Sequence, residues 1–266
     1  MTSPNHPPNT LEQWAHAYLI STDLDAKFHP PPIPETSHAS PRPIRIARPG
    51  RPPHLRVEQR GQRTPGAVAL AKPERRAQVV HTFLHHELQA AELMCWAVLA
   101  FPETPRSFRR GLLAIATDEV RHMNLYREHL EFLGARFGDF PVRDWFWDRV
   151  PASLTPAHFV AVMGMGFEGG NLDHAKRFAQ RFRDVGDHVL AEIQETICAE
   201  EVSHVRFAER WFRRWTGSSD FDTWVKYLPP PLSPITMKGR TLNRADRARA
   251  GLSETFLDEL TAWFPA

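Results

Sequence analysis

Apolar residues recur at three- and four-residue intervals along four long stretches of this chain. No stretch alternates with the period of two that a half-buried strand requires. The first helical pattern opens at Pro73, suited to an initial turn, and ends at Phe101, just ahead of Pro102. Thr104 as N-cap and Pro105 at the first helical position open the second, which runs to about Leu133 before Gly134. The same pairing, Thr155 and Pro156, begins a third that reaches about Arg183. Gly186 and Asp187 separate it from a fourth, which continues to Trp215 and stops at Thr216 and Gly217. Long helices joined by so short a link are antiparallel neighbours. The aromatic-rich segment Gly134 to Ser153, with Trp145, Phe146 and Trp147, is long enough to travel back along them. The predicted class is all-α: a four-helix bundle of two antiparallel pairs joined by one long crossover.

The flanks read differently. Thr10 to Ile20 predicts a short amphipathic helix, with Thr10 as its cap and Leu11, Trp14, Ala15 and Leu19 at helical spacing. From His29 to about Pro65, prolines and arginines rule out a continuous helix and imply an extended arm. Pro229, Pro230 and Pro231 start a second extended stretch, followed by Arg240, Arg244, Arg247 and Arg249 and a short closing helix from Ser253 to Phe264. The expected organisation is therefore an N-terminal helix and Pro/Arg-rich arm over 1–70, the bundle over 71–217, and a C-terminal segment over 218–266.

Charge alters this picture only locally. The formal net charge is +2, yet Arg42, Arg45, Arg48, Arg51, Arg56, Arg60 and Arg63 share a segment whose only acid is Glu58. Such a strip suits nucleic acid phosphates; it equally suits an arm packed along acidic parts of its own bundle, and no base-stacking pattern accompanies it. The two cysteines, Cys95 and Cys198, form no paired motif, and no signal peptide or bilayer-length apolar run is evident. A reduced, cytoplasmic protein without a membrane partner is expected, as a monomer or dimer.

The chemistry concentrates in two copies of Glu-x-x-His: Glu119 with His122, and Glu201 with His204. Three residues on a helix put carboxylate and imidazole on one face. Each copy follows a helix that carries an isolated Glu: Glu119 comes 32 positions after Glu87, and Glu201 comes 33 after Glu168. Four carboxylates and two imidazoles at matched levels are what a helical bundle needs to hold two metal ions. Glu87 is chosen over Glu92 by periodicity, because Val80, Phe83, Leu84, Ala91, Met94 and Val98 make the Glu87 face otherwise apolar. The Glu92 face passes His85, Gln89 and Trp96. An unpaired buried carboxylate is costly, and a divalent cation removes that cost. Glu119 lies among Leu112, Ile115, Met123, Tyr126 and Leu130, and Glu201 among Ile197, Cys198, Val205 and Ala208. Oxygen and nitrogen donors suit iron, manganese or a mixed pair rather than tetrahedral zinc. A salt-bridged bundle in which these acids and imidazoles satisfy one another is the competing account.

Around the ligands, Asp118 and Glu200 precede each motif's Glu, where they can orient an imidazole of the opposite pair. Glu92 and Asp173 each follow a ligand by five residues, a parallel that implies a matched outer shell. Gly164, Gly166, Gly169 and Gly170 surround Glu168 at about 1 kcal/mol each in a helix interior. Either a π-bulge or close helix approach opens a cavity beside the metals, or the glycines serve tight packing alone. Tyr126, one turn past His122, is a redox-active phenol or a core residue; Cys198 is read as packing.

Taken together, the stretches His-His-Glu-Leu-Gln-Ala-Ala-Glu-Leu from His85, Asp-Glu-Val-Arg-His from Asp118 and Leu-Gly-Ala-Arg-Phe-Gly-Asp-Phe-Pro-Val from Leu133 resemble the ferritin-like superfamily. Phe-Glu-Gly-Gly-Asn-Leu-Asp from Phe167, Glu-Glu-Val-Ser-His-Val from Glu200 and the Pro/Arg-rich tail from Pro229 to Gly251 extend the likeness. It is closest to a bacterial domain-of-unknown-function family within that superfamily, related to di-iron tRNA hydroxylases. Glu200 stands where that family usually has Asp, and the Gly170-Asn171 pair is atypical. The resemblance implies a non-haem di-iron centre on Glu87, Glu119, His122, Glu168, Glu201 and His204. The expected function is an O2-activating di-iron oxidase or oxygenase acting on a small-molecule or RNA-borne substrate. Without a flavin fingerprint or an iron–sulfur Cys set, its electrons come from a separate donor or from the substrate. The alternative is a ferritin- or rubrerythrin-like protein that binds iron, oxidises it or scavenges peroxide without an organic substrate.

Overall fold

A computed structural model describes residues 8–38, 42–59 and 65–265. Among them the regular structure is entirely helical, apart from one isolated parallel bridge between Val57 and Val142. The chain divides into two compact units. One combines residues 1–65 and 72–151, the other 66–71 and 152–266. The N-terminal arm thus goes with the first helix pair and the C-terminal segment with the second.

In the first unit, α1 spans Leu11–Ile20, and Thr10 caps it by accepting the Gln13 N–H. A short α2 follows over Leu24–Phe28. The long helices are α3, Pro73–Ala100, and α4, Arg106–Phe132. The start of α4 falls one residue later than the Thr-Pro pairing predicts. Pro105 is the cap residue, and the Thr104 hydroxyl donates to the Phe101 carbonyl at 2.7 Å instead of capping. Phe83, early in α3, packs its ring against Tyr126, late in α4, with centroids 5.8 Å apart, so the pair is antiparallel. The apolar stripe predicted for α3 is buried at Val80, Leu84, Ala91, Met94 and Val98. α1 packs across α3, its Trp14 and Tyr18 rings stacked at 5.4 Å and 3°.

The arm and the crossover both fold back onto α3. Lys27 reaches the Gly50 carbonyl at 2.7 Å, and Ile44 donates its N–H to the Leu99 carbonyl. The Gln89 side-chain oxygen accepts the backbone N–H of Phe146 at 3.1 Å, and the Trp147 indole donates to Glu92 at 3.0 Å. The extended backbone of both segments therefore finds hydrogen-bond partners without making a sheet.

The second unit holds the other pair. Thr155 caps a single α-turn, α5, over Pro156–Phe159. The helix continues as a nine-residue π-helix from Val160 to Glu168 and returns to α geometry as α6, Gly169–Asp184. Asp187 caps α7, His188–Thr216, which ends at Gly217 in the left-handed region with φ 84°. Three contacts show the antiparallel run. Arg183 pairs with Glu195 at 2.8 Å, Asn171 meets Glu201 at 3.0 Å, and a Cβ on Gly164 would fall 2.2 Å from that of Ala208. The C-terminal segment adds α8 (Phe221–Val225), α9 (Arg244–Arg249) and α10 (Glu254–Ala262).

The π-helix and the glycines have one explanation. A π-helix widens the turn and weakens the backbone ladder, and the Ala161 carbonyl takes a 3.0 Å bond from the Trp224 indole. Positions without side chains are filled from outside: Ala208 against Gly164, Met237 against Gly166 and Gly170, Arg247 against Gly169. The glycines thus admit close neighbours, and at these four positions the tight-packing alternative describes the helix.

Candidate metal centre

In the first unit, Glu87 on α3 and Glu119 and His122 on α4 each bring a ligand atom to within 4.8 Å of the others. All three are buried, Glu119 and His122 completely. The i,i+3 spacing sets the local geometry, with His122 Nδ1 3.2 Å from Glu119 Oε2. In the second unit, Glu201 and His204 repeat it, with Nδ1 3.0 Å from Oε2. Glu168, the last residue of the π-helix, is also buried. The donor set offers carboxylate oxygens and imidazole nitrogens on buried, otherwise apolar helix faces, which fits a hard or borderline divalent cation such as iron or manganese.

The residues expected around the ligands have definite partners. Asp118 pairs with Arg121 of its own helix at 2.8 Å. Glu200 is half-buried, and its backbone carbonyl accepts the Ser203 hydroxyl at 2.9 Å. Tyr126 is a buried tyrosine packed on Phe83. Cys198 belongs to an apolar cluster with Leu172, Ala175, Val202, Val205 and Ala250, and burial pushes its thiol up to about 12, far from a thiolate.

Glu92 and Asp173 share a role, and it is to anchor the two arms. Glu92 is fully buried between Lys27, at 2.6 Å, and Arg51, with the Trp147 indole as a third donor. Burial alone would raise its carboxyl, but Arg51 and Lys27 hold it below the usual range. Arg51 also pairs with Asp144, which lies 3.4 Å from the His85 Nε2. His85 and Arg51 outweigh burial and keep the Asp144 carboxyl at about 2. Asp173 receives Arg247 at both oxygens, plus the backbone N–H of Gly239 at 2.8 Å and of Asn243 at 2.6 Å. Each acid five residues past a candidate ligand therefore pins an Arg-bearing segment to its own helix pair.

Two further arginines of the strip also contact the first unit. Arg45 lies over the Trp96 and Phe101 rings, each at 5.2 Å, and Arg48 pairs with Asp148 at 3.1 Å. Arg60 and Arg63 lie outside the described residues.

Sequence reasoning passed over Asn171 as a site residue. Its side-chain amide donates to Glu201 Oε1 at 3.0 Å. The signal was available, since Asn171 stands three residues after Glu168, the spacing of the two Glu-x-x-His motifs. Lys27, Arg51 and Asp144 gave no such signal.

No solved structure matches the chain at a significant level. A protein of Haemophilus influenzae described as "Uncharacterized protein" is 24% identical over 203 residues, which is 71% of this chain and 69% of that relative. The family model described as "Protein of unknown function (DUF455)" matches residues 9–258, almost the whole length, and the chain belongs to that family.

Proposed function

We propose that the two helix pairs close on one another as a ferritin-like bundle, that Glu87, Glu119, His122, Glu168, Glu201 and His204 hold two iron ions, and that the protein is an oxidase or oxygenase. The observation that carries this reading is the repeated geometry of the two buried Glu–His pairs, 3.2 Å and 3.0 Å on separate helix pairs. Such a pair of ions supplies electrons and Lewis acidity for the activation of O2.

The chain's own residues do the rest. The carboxylates offset the charge of the cations inside an apolar interior, where bare ions would be unstable. The π-helix carries Glu168 at its end, and the neighbours packed into its glycines hold that segment rigidly. Both cysteines are buried, Cys95 fully, and its thiol is held well above the ordinary range by burial. Neither is suited to carry electrons, so reducing equivalents come from a separate donor or from the substrate.

The test is metal content and oxygen uptake. The purified protein is expected to retain two iron ions per chain, and Glu119→Ala to lose metal while keeping its helicity. Full metal occupancy in that variant overturns the ligand assignment. Iron-loaded protein that consumes O2 no faster than free ferrous ion removes the oxygen chemistry and leaves a metal-binding protein.

A further inference from the structure

The two halves of the candidate site differ three residues after the isolated Glu. Three residues after Glu168 stands Asn171, whose amide reaches Glu201; three residues after Glu87 stands Ala90, which has no polar side-chain atom. A carboxylate only accepts hydrogen bonds, so the amide must turn its NH2 towards Glu201. Glu201 is thereby fixed at Oε1 by Asn171 at 3.0 Å, while its Oε2 lies 3.0 Å from His204 Nδ1, as Glu119 Oε2 lies 3.2 Å from His122 Nδ1. A ligand fixed in this way loses little freedom when a cation arrives, and residues that orient metal ligands typically change affinity by about 10–100-fold.

Resting on the di-metal reading above, we propose that Asn171 makes the two metal positions unequal, so that the one built from Glu168, Glu201 and His204 fills before the one built from Glu87, Glu119 and His122. Asn171 is a positioning residue. It acts through Glu201, by limiting that carboxylate to one orientation and one set of lone pairs. The close packing of Met237 on Gly170 and of Arg247 on Gly169 fixes the backbone from which Asn171 projects, so the amide is held by the same neighbours that hold the glycines.

The experiment titrates the metal-free full chain with Mn2+, following free Mn2+ by electron paramagnetic resonance and locating bound ions by anomalous scattering at one equivalent. Wild type is expected to bind in two steps, with the first ion on the Glu201 side. Asn171→Leu, close in volume but without a donor, and Asn171→Ala are expected to weaken the first step by about tenfold or more and to spread one equivalent over both positions. Circular dichroism and thermal unfolding establish that each variant is folded. A purely structural asparagine would weaken both steps together and leave the order of filling unchanged, and that result overturns the proposal. Two indistinguishable steps in wild type also overturn it while leaving the di-metal reading intact. Failure of wild type to bind Mn2+ or Fe2+ at all removes that reading instead.

Discussion

Arg247 grips Asp173 with two parallel bonds, Nε to Oδ1 at 3.1 Å and Nη2 to Oδ2 at 2.8 Å, and both side chains are buried. The bond ties α9 to α6, and Arg247 also donates to the Met237 carbonyl at 3.1 Å. Arg247→Met is expected to destabilise the protein by about 3 kcal/mol, because it leaves a buried carboxylate with backbone donors but no counter-charge. Arg247→Lys should recover only part of that loss, since an ammonium cannot span both oxygens. Urea unfolding measures both; a loss below about 0.5 kcal/mol for Arg247→Met would show that the arm is not held by this pair.

Glu87 and Glu119 are two buried acids whose ligand atoms lie within 4.8 Å of each other, with His122 Nδ1 3.2 Å from Glu119 Oε2. Without a cation they repel and are poorly solvated, so the metal-free protein carries a cost that a bound ion removes. Glu119→Gln is expected to raise the stability of the metal-free chain by about 1–3 kcal/mol and to abolish most of the stabilisation that Fe2+ or Mn2+ gives wild type. Thermal melts with and without metal test it. A variant that is less stable than wild type without metal, yet still stabilised by it, would mean that Glu119 is a structural residue.

The sequence carried those parts of this molecule that are local. Helical period, the caps at Thr10 and Thr155 and the break at Gly186 and Asp187 placed the helix ends to within a residue or two, because such signals lie next to the segment they bound, although Thr104 does not cap α4. The different surroundings of Glu87 and Glu92 were also legible, since one apolar face and one half-polar face follow from spacing alone. What the polar face was for was not. Lys27, Arg51, Glu92 and Asp144 come from four distant segments and meet only after the arm and crossover have folded onto α3. No period or motif links them. The glycine-rich stretch was intermediate: its composition signalled an irregular helix, but only the neighbours Ala208, Met237 and Arg247 show that the gaps are filled.

Gly164 is the sharpest test of that filling. A Cβ there would lie 2.2 Å from the Cβ of Ala208, far inside contact distance, and both atoms belong to long helices that cannot shift independently. Gly164→Ala is expected to cost about 1–3 kcal/mol in spite of alanine's better helix propensity. Adding Ala208→Gly should restore most of it, because the two positions exchange one methyl across the same gap. Urea unfolding of the single and double variants measures the coupling; strict additivity would mean that α7 does not press on the π-helix at this point.

The pH response turns on His81. The ring is fully buried on α3 against Phe137 and Phe140, and its Nε2 accepts the Gly138 N–H at 2.9 Å. An accepting Nε2 puts the proton on Nδ1, so the folded protein requires the neutral ring. Burial, with His85 one turn away outweighing Asp139, brings the imidazole down to about 4 from an ordinary 6.5. The unfolded chain therefore takes up a proton as pH falls through 6.5 while the folded chain does not. Stability is full above that value and declines until about pH 4, by an amount on the order of 3 kcal/mol. His85, lowered by burial against the pull of Asp144, adds to the loss with the same sign. Asp144, held at about 2, acts only in more acid solution, where its stabilisation disappears as pH falls below the ordinary carboxylate range. His81→Gln keeps an acceptor for Gly138 and cannot titrate, so it should flatten the slope between pH 6.5 and 4 by about one proton in urea unfolding at a series of pH values. An unchanged slope in that variant would assign the acid sensitivity to other groups.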